Sequence, residues 1–163
     1  MSYEPDSGEA SAVLRRDAEI PGLVRPTTRT RFVAPGSVTG GRYGLFRWEM
    51  DPGANGPSPH FHRTFSESFY ILEGTVRLYD GREWVAATAG DFLQVPEGGV
   101  HAFDNHGSSE PAAMLILFAP APPREEYFIG LAEIADSGRK LTPEEMTAFL
   151  AKHDQYAVPP DEG

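Results

Sequence analysis

The chain of 163 residues contains no cysteine. That absence excludes disulfide bonds, thiolate nucleophiles and every zinc site that depends on sulfur ligands. A metal ion bound by this protein must therefore be held by histidine, aspartate or glutamate side chains.

Positive charge and long apolar runs are also lacking. Fourteen basic residues stand against 24 acidic ones, a formal net charge of -10, and no basic run is present that could follow a phosphate backbone. No apolar stretch approaches the roughly twenty residues needed to cross a bilayer, and the segment MSYEPDSGEASAV has neither part of a signal peptide. These absences argue against nucleic acid and membrane as partners and predict a cytoplasmic protein.

The composition that remains is typical of one soluble globular domain. It is 40% hydrophobic and 23% charged, and a chain of this length buries one sizeable core. Residues 1–25 are polar, carry several prolines and glycines and show no regular period, which predicts a flexible N-terminal arm. We expect the barrel domain at residues 26–121 and a C-terminal helical extension at residues 122–163.

A strand-rich region begins near residue 42. Phe46, Trp48 and Met50 alternate with charged residues, the period of a half-buried strand. Similar short runs recur between turn residues, and the Asp80-Gly81 pair predicts a hairpin with a two-residue type I′ turn. Many short strands with no helices between them predict an antiparallel all-β sandwich or barrel.

Two amphipathic helices are predicted after residue 121. In the first, apolar residues recur at i, i+4 and i+7 from Tyr127, and Gly138 is placed to cap its C-terminus. In the second, Thr142 is the expected N-cap, Pro143 the first helical residue and Glu145 the partner in a capping box. Their apolar faces must be buried on the outside of the barrel or against a second subunit, and the sequence leaves both open.

The segment SPHFHRTFSE places two histidines two positions apart. Side chains at i and i+2 of a strand share a face, so His60 and His62 would converge as paired ligands. An unbroken strand would turn Glu67 to the other face, so the RTFS segment must turn or bulge. Glu67, Phe69 and Ile71 can then share the inward face of the next strand.

A second segment, GDFLQVPEGGVHAFDN, carries His101 behind a sharp turn. The two segments together resemble the two cupin motifs. Residues 53–74 resemble G-x5-H-x-H-x(3 or 4)-E-x6-G, with one extra residue before the first histidine. Residues 90–105 match G-x5-P-x-G-x2-H-x3-N at every fixed position.

This resemblance implies a double-stranded β-helix, a jelly-roll-like barrel, followed by the two C-terminal α-helices. It also implies that His60, His62, Glu67 and His101 bind one metal ion, and that the chain is similar to the single-domain, quercetinase-like cupins of the second subfamily. Because cupins are often homodimers, a homodimer is expected as well.

Three imidazoles and one carboxylate suit a divalent transition metal ion: Fe, Mn, Ni, Co, Cu or Zn. The ligand set does not select among these metals. Four protein ligands on an octahedral ion leave two positions open for dioxygen or a chelating substrate.

The inward strand residues predict the lining of a substrate pocket. The expected residues are Phe46, Trp48, Phe69, Gln94 and Phe103. The aromatic members could equally be ordinary core residues. Gln94 would need a polar partner if it points inward, and it would be a surface residue if it points outward.

These residues predict a metal-dependent dioxygenase that acts on a small aromatic or enol-bearing compound. The resemblance to quercetinase-like cupins implies that Glu67 is both a ligand and the catalytic base. One alternative is an isomerase, lyase or cyclase that uses the ion as a Lewis acid. A second alternative is a non-catalytic cupin that binds a small molecule around a structural metal.

Overall fold

The computed structural model describes residues 2–159, which form one 3₁₀ turn, three helices and eleven strands. The 3₁₀ turn spans Asp17–Glu19. The helices are α1 (Gly36–Thr39), α2 (Arg124–Asp136) and α3 (Pro143–Lys152). The strands are β1 (Gly22–Val24), β2 (Thr28–Ala34), β3 (Gly44–Met50), β4 (His60–Phe61), β5 (Ser66–Glu73), β6 (Thr75–Tyr79), β7 (Trp84–Thr88), β8 (Phe92–Val95), β9 (Ala102–Asp104), β10 (Ala112–Ala119) and β11 (Tyr156–Ala157).

The strands form a double-stranded β-helix. A six-stranded sheet has the order β1-β2-β3-β10-β5-β8, a three-stranded sheet the order β7-β6-β9, and β11 pairs with β4. Every paired strand runs antiparallel to its neighbour. The all-β fold expected from the sequence is confirmed. β1 lies within the segment predicted as an arm, so the sheet begins before residue 26.

Period-two patterning builds the core between the sheets. On β10, Met114, Ile116 and Phe118 are buried, while Leu117 on the opposite face is exposed. On β5, Glu67, Phe69 and Ile71 are all buried, which confirms their predicted common face. Burying an aromatic or branched side chain of this size contributes about 1.5–3 kcal/mol.

The turn between β6 and β7 is centred one residue later than predicted. Tyr79 is the register partner of Trp84, and the Asp80 amide donates a hydrogen bond to the Glu83 carbonyl, so Gly81 and Arg82 are the central residues. The Asp80 carboxylate accepts hydrogen bonds from the amides of Arg82 and Glu83, and Gly81 supplies the positive φ of 93°. The type I′ prediction is wrong because that turn needs a positive φ at both central residues, and of Asp80 and Gly81 only Gly81 has one.

The two C-terminal helices pack against other elements of the same chain. Phe128 of α2 lies 5.4 Å from Phe46 and 5.6 Å from Trp48, measured between ring centroids. α3 packs on α2 where Gly130 approaches the ring of Phe149 so closely that a Cβ atom would lie 3.0 Å from it. Both faces therefore have partners within one chain, and the homodimer stays a prediction.

The predicted ends of these helices are confirmed. Thr142 caps α3 and forms the capping box with Glu145, and Pro143 is the first helical residue. Gly138 follows α2 with a positive φ of 68°. No helix in residues 2–159 is long and apolar enough to cross a membrane.

Candidate metal centre

Four buried side chains meet at the junction of β4, β5 and the loop before β9. They are His60, His62, Glu67 and His101, the set expected to bind a metal, and one donor atom from each lies within 4.8 Å of the others. The backbones of His60 and His101 exchange hydrogen bonds of 3.0 and 2.9 Å, which hold the two side chains opposite each other. The bend between His62 and Ser66 then returns Glu67 to the same point.

Each imidazole is oriented by a backbone carbonyl. The Nδ1 atom of His60 lies 2.8 Å from the carbonyl oxygen of Ser58, and that of His101 lies 3.0 Å from the carbonyl oxygen of Gly99. The Nδ1 atom of His62 lies 2.7 Å from the carbonyl oxygen of Asp154. Since a carbonyl only accepts, each Nδ1 must carry the proton, and each Nε2 then presents a lone pair to the centre.

The carboxylate of Glu67 completes the set. Its Oε2 atom lies 2.9 Å from Nε2 of His62 and 2.8 Å from Nε2 of His101. If both Nδ1 atoms already carry protons, Nε2 can donate to Glu67 only when each ring is cationic. A divalent cation removes this conflict, because it accepts three imidazole lone pairs and one carboxylate oxygen without any extra proton. The residues present therefore fit a metal ion.

The electrostatics of the cluster favour a neutral His60 and an ionised Glu67, as a metal requires, but without an ion they favour a proton on His101. Burial and the neighbouring His101 lower the pKa of His60 to about 3, so this ring is neutral. Burial alone would raise the pKa of Glu67, but the charge and hydrogen bonds of His101 and His62 hold it well below its ordinary value. Burial likewise opposes a charge on His101, yet the Glu67 carboxylate outweighs it and raises the pKa of His101.

A cavity of about 350 Å³ opens from this cluster toward α2. Its lining includes His60 and Glu67 from the cluster and Tyr127 and Phe128 from α2. The volume lies within the range typical of small-molecule sites. Most of the wall is apolar and includes Trp48, Phe103, Ile116 and Phe118.

The predicted pocket residues divide into three groups. Trp48 and Phe103 line the cavity. Phe46 and Phe69 are buried in the core and do not line it. Gln94 is exposed and lies away from it, which corrects its assignment to the pocket. Inward positions on β8 belong to Val95, which is buried, and to Leu93, which packs against the core.

The C-terminal extension supplies residues that sequence reasoning missed. Arg124, Tyr127 and Gln155 line the cavity, and the carbonyl of Asp154 orients His62. The apolar repeat beginning at Tyr127 was the available signal for α2. No local pattern marked Arg124, Asp154 or Gln155, because their role depends on where the extension docks.

Comparisons with known proteins agree with this geometry. Residues 46–118 match the family model described as a cupin domain. A quercetin 2,3-dioxygenase of Bacillus subtilis is 32% identical over 108 residues, covering 65% of this chain but 29% of the relative. The chain thus spans under a third of that relative's length.

Solved structures share the fold. A polyketide cyclase from Streptomyces resistomycificus has a TM-score of 0.57 at 22% identity, covering 69% of this chain and 82% of its own. An ectoine synthase from P. lautus has a TM-score of 0.60 at 14% identity, covering 93% and 96%. At such low identity these likenesses establish the fold alone.

Proposed function

We propose that the chain, whose residues 46–118 match the cupin-domain model, is a metal-dependent dioxygenase acting on a small aromatic or enol-bearing compound. The single observation that carries the proposal is the four-residue donor cluster at the end of a largely apolar cavity. The 32% identity to a quercetin 2,3-dioxygenase supports the same direction.

His60, His62, Glu67 and His101 would hold one divalent ion of Fe, Mn, Ni, Co, Cu or Zn. Three nitrogen donors and one oxygen donor suit all of these metals. When bound, a redox-active ion supplies dioxygen chemistry and polarises a substrate oxygen. The carbonyls of Ser58, Gly99 and Asp154 fix the ring orientations, so the ligand geometry is set before a metal arrives.

The cavity wall would bind and orient the substrate. Trp48 and Phe103 meet edge to face at 5.8 Å, and Phe128 lies 5.6 Å from Trp48. A planar ring can pack against such aromatic faces while they exclude water from the reacting atoms. Glu67 lines the same cavity, and we propose that its carboxylate accepts a proton from the substrate hydroxyl.

A second function uses the same residues with the ion as a Lewis acid. The donor set accepts zinc as readily as iron, so an isomerase, lyase or cyclase fits the same ligands. Turnover that needs no dioxygen, or turnover with zinc, would favour this function over the dioxygenase.

The first experiment is elemental analysis of untagged protein purified without chelator. The matched control is the double variant His60→Ala/His101→Ala. Near-stoichiometric iron, manganese, nickel, cobalt or copper that is lost in the control supports the dioxygenase, and zinc supports the Lewis-acid enzyme. Absence of any metal after reconstitution would contradict both and leave a non-catalytic binding protein.

Activity is tested next by dioxygen uptake with flavonols and small enols. Glu67→Gln preserves the size of the side chain but removes the carboxylate's basicity. We expect it to lower turnover at least about a hundred-fold if Glu67 is the base. A Glu67→Gln variant that keeps both its metal and full turnover would eliminate the proposed base.

A further inference from the structure

Arg124 is a buried cation whose hydrogen-bond partners are neutral. Its side chain lies at the first turn of α2, is 4% exposed and lines the cavity. One η nitrogen donates to the carbonyl of His153 and the other to the side-chain carbonyl of Gln155, both at 3.2 Å. Its Nε–H has no acceptor within residues 2–159, where the guanidinium also forms no ion pair.

Aromatic rings surround this guanidinium. Its central carbon lies 3.8 Å from the ring centroid of Tyr127 and 5.2 Å from that of Phe118. Ring faces attract a cation, but they do not neutralise its charge. Burial lowers the pKa of Arg124, and the charges of Glu67 and Asp154 oppose this only from beyond ion-pair distance. A buried cation with no directly paired anion is costly, so an anionic partner supplied by a ligand would stabilise the site.

A second buried donor faces the same shortage. The indole Nε1–H of Trp48, another residue of the cavity wall, has no acceptor among the described residues. Buried N–H groups are nearly always paired in folded proteins. Both residues flank Phe128, since the central carbon of the guanidinium lies 5.7 Å and the Trp48 ring 5.6 Å from its ring centroid. Two such donors on one stretch of the wall suit a ligand group that only accepts hydrogen bonds, and a carboxylate is such a group.

The charges along the cavity point the same way. Glu67 is the carboxylate that lines it, and its Oε2 atom already accepts from His62 and His101. A divalent ion at those ligands would outweigh the charge of Glu67, and Arg124 would add a further positive charge. The cavity would then be cationic within a chain of net charge -10, an arrangement that favours an anionic ligand.

We infer that Arg124 and Trp48 form a subsite for a carboxylate, so that the substrate is a small aromatic or enol-bearing carboxylic acid. The inference rests on the proposed function, whose substrate class it names. The metal end takes the reacting oxygen, the aromatic wall takes the planar body, and Arg124 takes the carboxylate. Arg124 is thus a specificity-determining residue.

The test compares two probes of nearly equal shape, 3-phenylpropanoate and 3-phenylpropanamide. Calorimetry on the metal-loaded protein measures both affinities, and quenching of Trp48 in a Trp84→Phe background locates the binding in the cavity. We expect the carboxylate to bind at least about ten-fold more tightly than the amide, the range of a hydrogen bond to a charged group.

Variants identify the residues that make the carboxylate bind more tightly than the amide. Arg124→Met keeps an elongated apolar side chain and should reduce the preference to about two-fold or less, with metal content unchanged. Trp48→Phe keeps an aromatic side chain but removes the indole N–H, and it should reduce the preference for the carboxylate about three-fold or more. This variant provides a test even if Arg124→Met does not fold. The control Arg47→Met removes a half-buried cation that lies outside the cavity on the same strand as Trp48, and it should leave the preference for the carboxylate unchanged.

Three results would overturn the inference: equal binding of the two probes, binding of neither, or a preference that survives both Arg124→Met and Trp48→Phe. In the last case, loss of the preference in His60→Ala/His101→Ala would identify the metal as the anion receptor and leave the proposed function standing. Conversely, a carboxylate preference that depends on Arg124 in a protein that binds no metal would contradict the proposed function and keep the subsite.

Discussion

His60 and His101 are held by the chain immediately around them, whereas His62 is held by a distant segment. The carbonyls of Ser58 and Gly99 stand two residues before the rings that they orient. The carbonyl of Asp154 stands 92 residues from His62. The two motif segments therefore provide all four candidate ligands, but the C-terminal extension orients one of them and forms part of the cavity wall.

The extension is attached to the barrel by a short and well-defined contact. The carboxylate of Asp154 accepts hydrogen bonds from the amides of Arg63 and Thr64, and Thr64 also donates its hydroxyl. β11 then pairs with β4, and Tyr156 stacks on Phe61 at 5.4 Å. Through this contact, a segment far along the chain from His62 holds its ring in the candidate metal centre.

The largest expected effect comes from removing a candidate ligand that the barrel itself holds in place. His101→Ala removes a ligand that only the motif supplies, and we expect metal content to fall from near one ion per chain to almost none. Elemental analysis after dialysis measures it. The control is His106→Ala, since His106 is an exposed histidine in the same segment and should keep the metal. Equal losses in the two variants would mean that His101 is no more a ligand than His106.

The next largest effect tests the contact by which the C-terminal extension positions His62. Asp154→Ala removes the carboxylate that fastens residue 154 beside His62, and it places alanine at a φ of 53°, where a Cβ atom is disfavoured. We expect metal affinity to fall about ten- to a hundred-fold, as for other residues that orient a ligand. Competition with a chromophoric chelator measures the change.

Two variants interpret that result. Asp154→Gly tolerates the φ but still lacks the carboxylate, so a similar loss would assign the effect to the carboxylate. Asp136→Ala removes an exposed acid from α2 and should keep the affinity of the original protein. An unchanged affinity in Asp154→Ala would show that the barrel positions His62 without help.

Sequence alone predicts what is local in this site. The i and i+2 spacing of His60 and His62, the bend before Glu67 and the buried face of β5 all follow from period two and from the motif residues. Gln94 was misplaced because the facing of β8 depends on its register with β5, where Leu93 is opposite Phe69. Arg124 and Asp154 could not be predicted, because the docking of a helical extension leaves no periodic trace in the sequence.

A third prediction concerns an ion pair that lies wholly within the barrel. Arg77 of β6 forms two hydrogen bonds with Asp104 of β9, at 2.8 and 2.6 Å. Burial alone would raise the pKa of Asp104, but Arg77 and the amide of His106 hold that pKa below its ordinary value. Asp104→Asn should lower the free energy of unfolding by about 1–3 kcal/mol at neutral pH, measured by urea unfolding.

The pH dependence of this pair has a definite sign. Because the folded pKa of Asp104 is lowered, its contribution is present above the unfolded value of about 3.9 and is lost as pH falls further through the folded pKa. The difference between the original protein and Asp104→Asn should therefore be constant from about pH 5 to 7 and shrink below about pH 4. The more exposed pair of Arg29 with Asp51 is the control, and Asp51→Asn should cost less than about 1 kcal/mol. A difference that grows on acidification would contradict the assignment.

The smallest expected effect isolates the extension's own stability. The hydroxyl of Thr142 accepts a hydrogen bond from the amide of Glu145, and the Glu145 carboxylate accepts one from the amide of Thr142. Thr142→Ala should lower the free energy of unfolding by about 1 kcal/mol, a fall of about 2–4 °C in Tm for a chain of this size. The control, Thr147→Ala, alters an exposed threonine inside the same helix and should change the free energy of unfolding by no more than about 0.5 kcal/mol.

If metal binding draws the extension and barrel into one cooperative unit, metal should raise Tm equally in the original protein and in Thr142→Ala. A separate low-temperature transition in Thr142→Ala alone would show that α3 and the segment carrying Asp154 can leave the barrel while His60 and His101 keep their places.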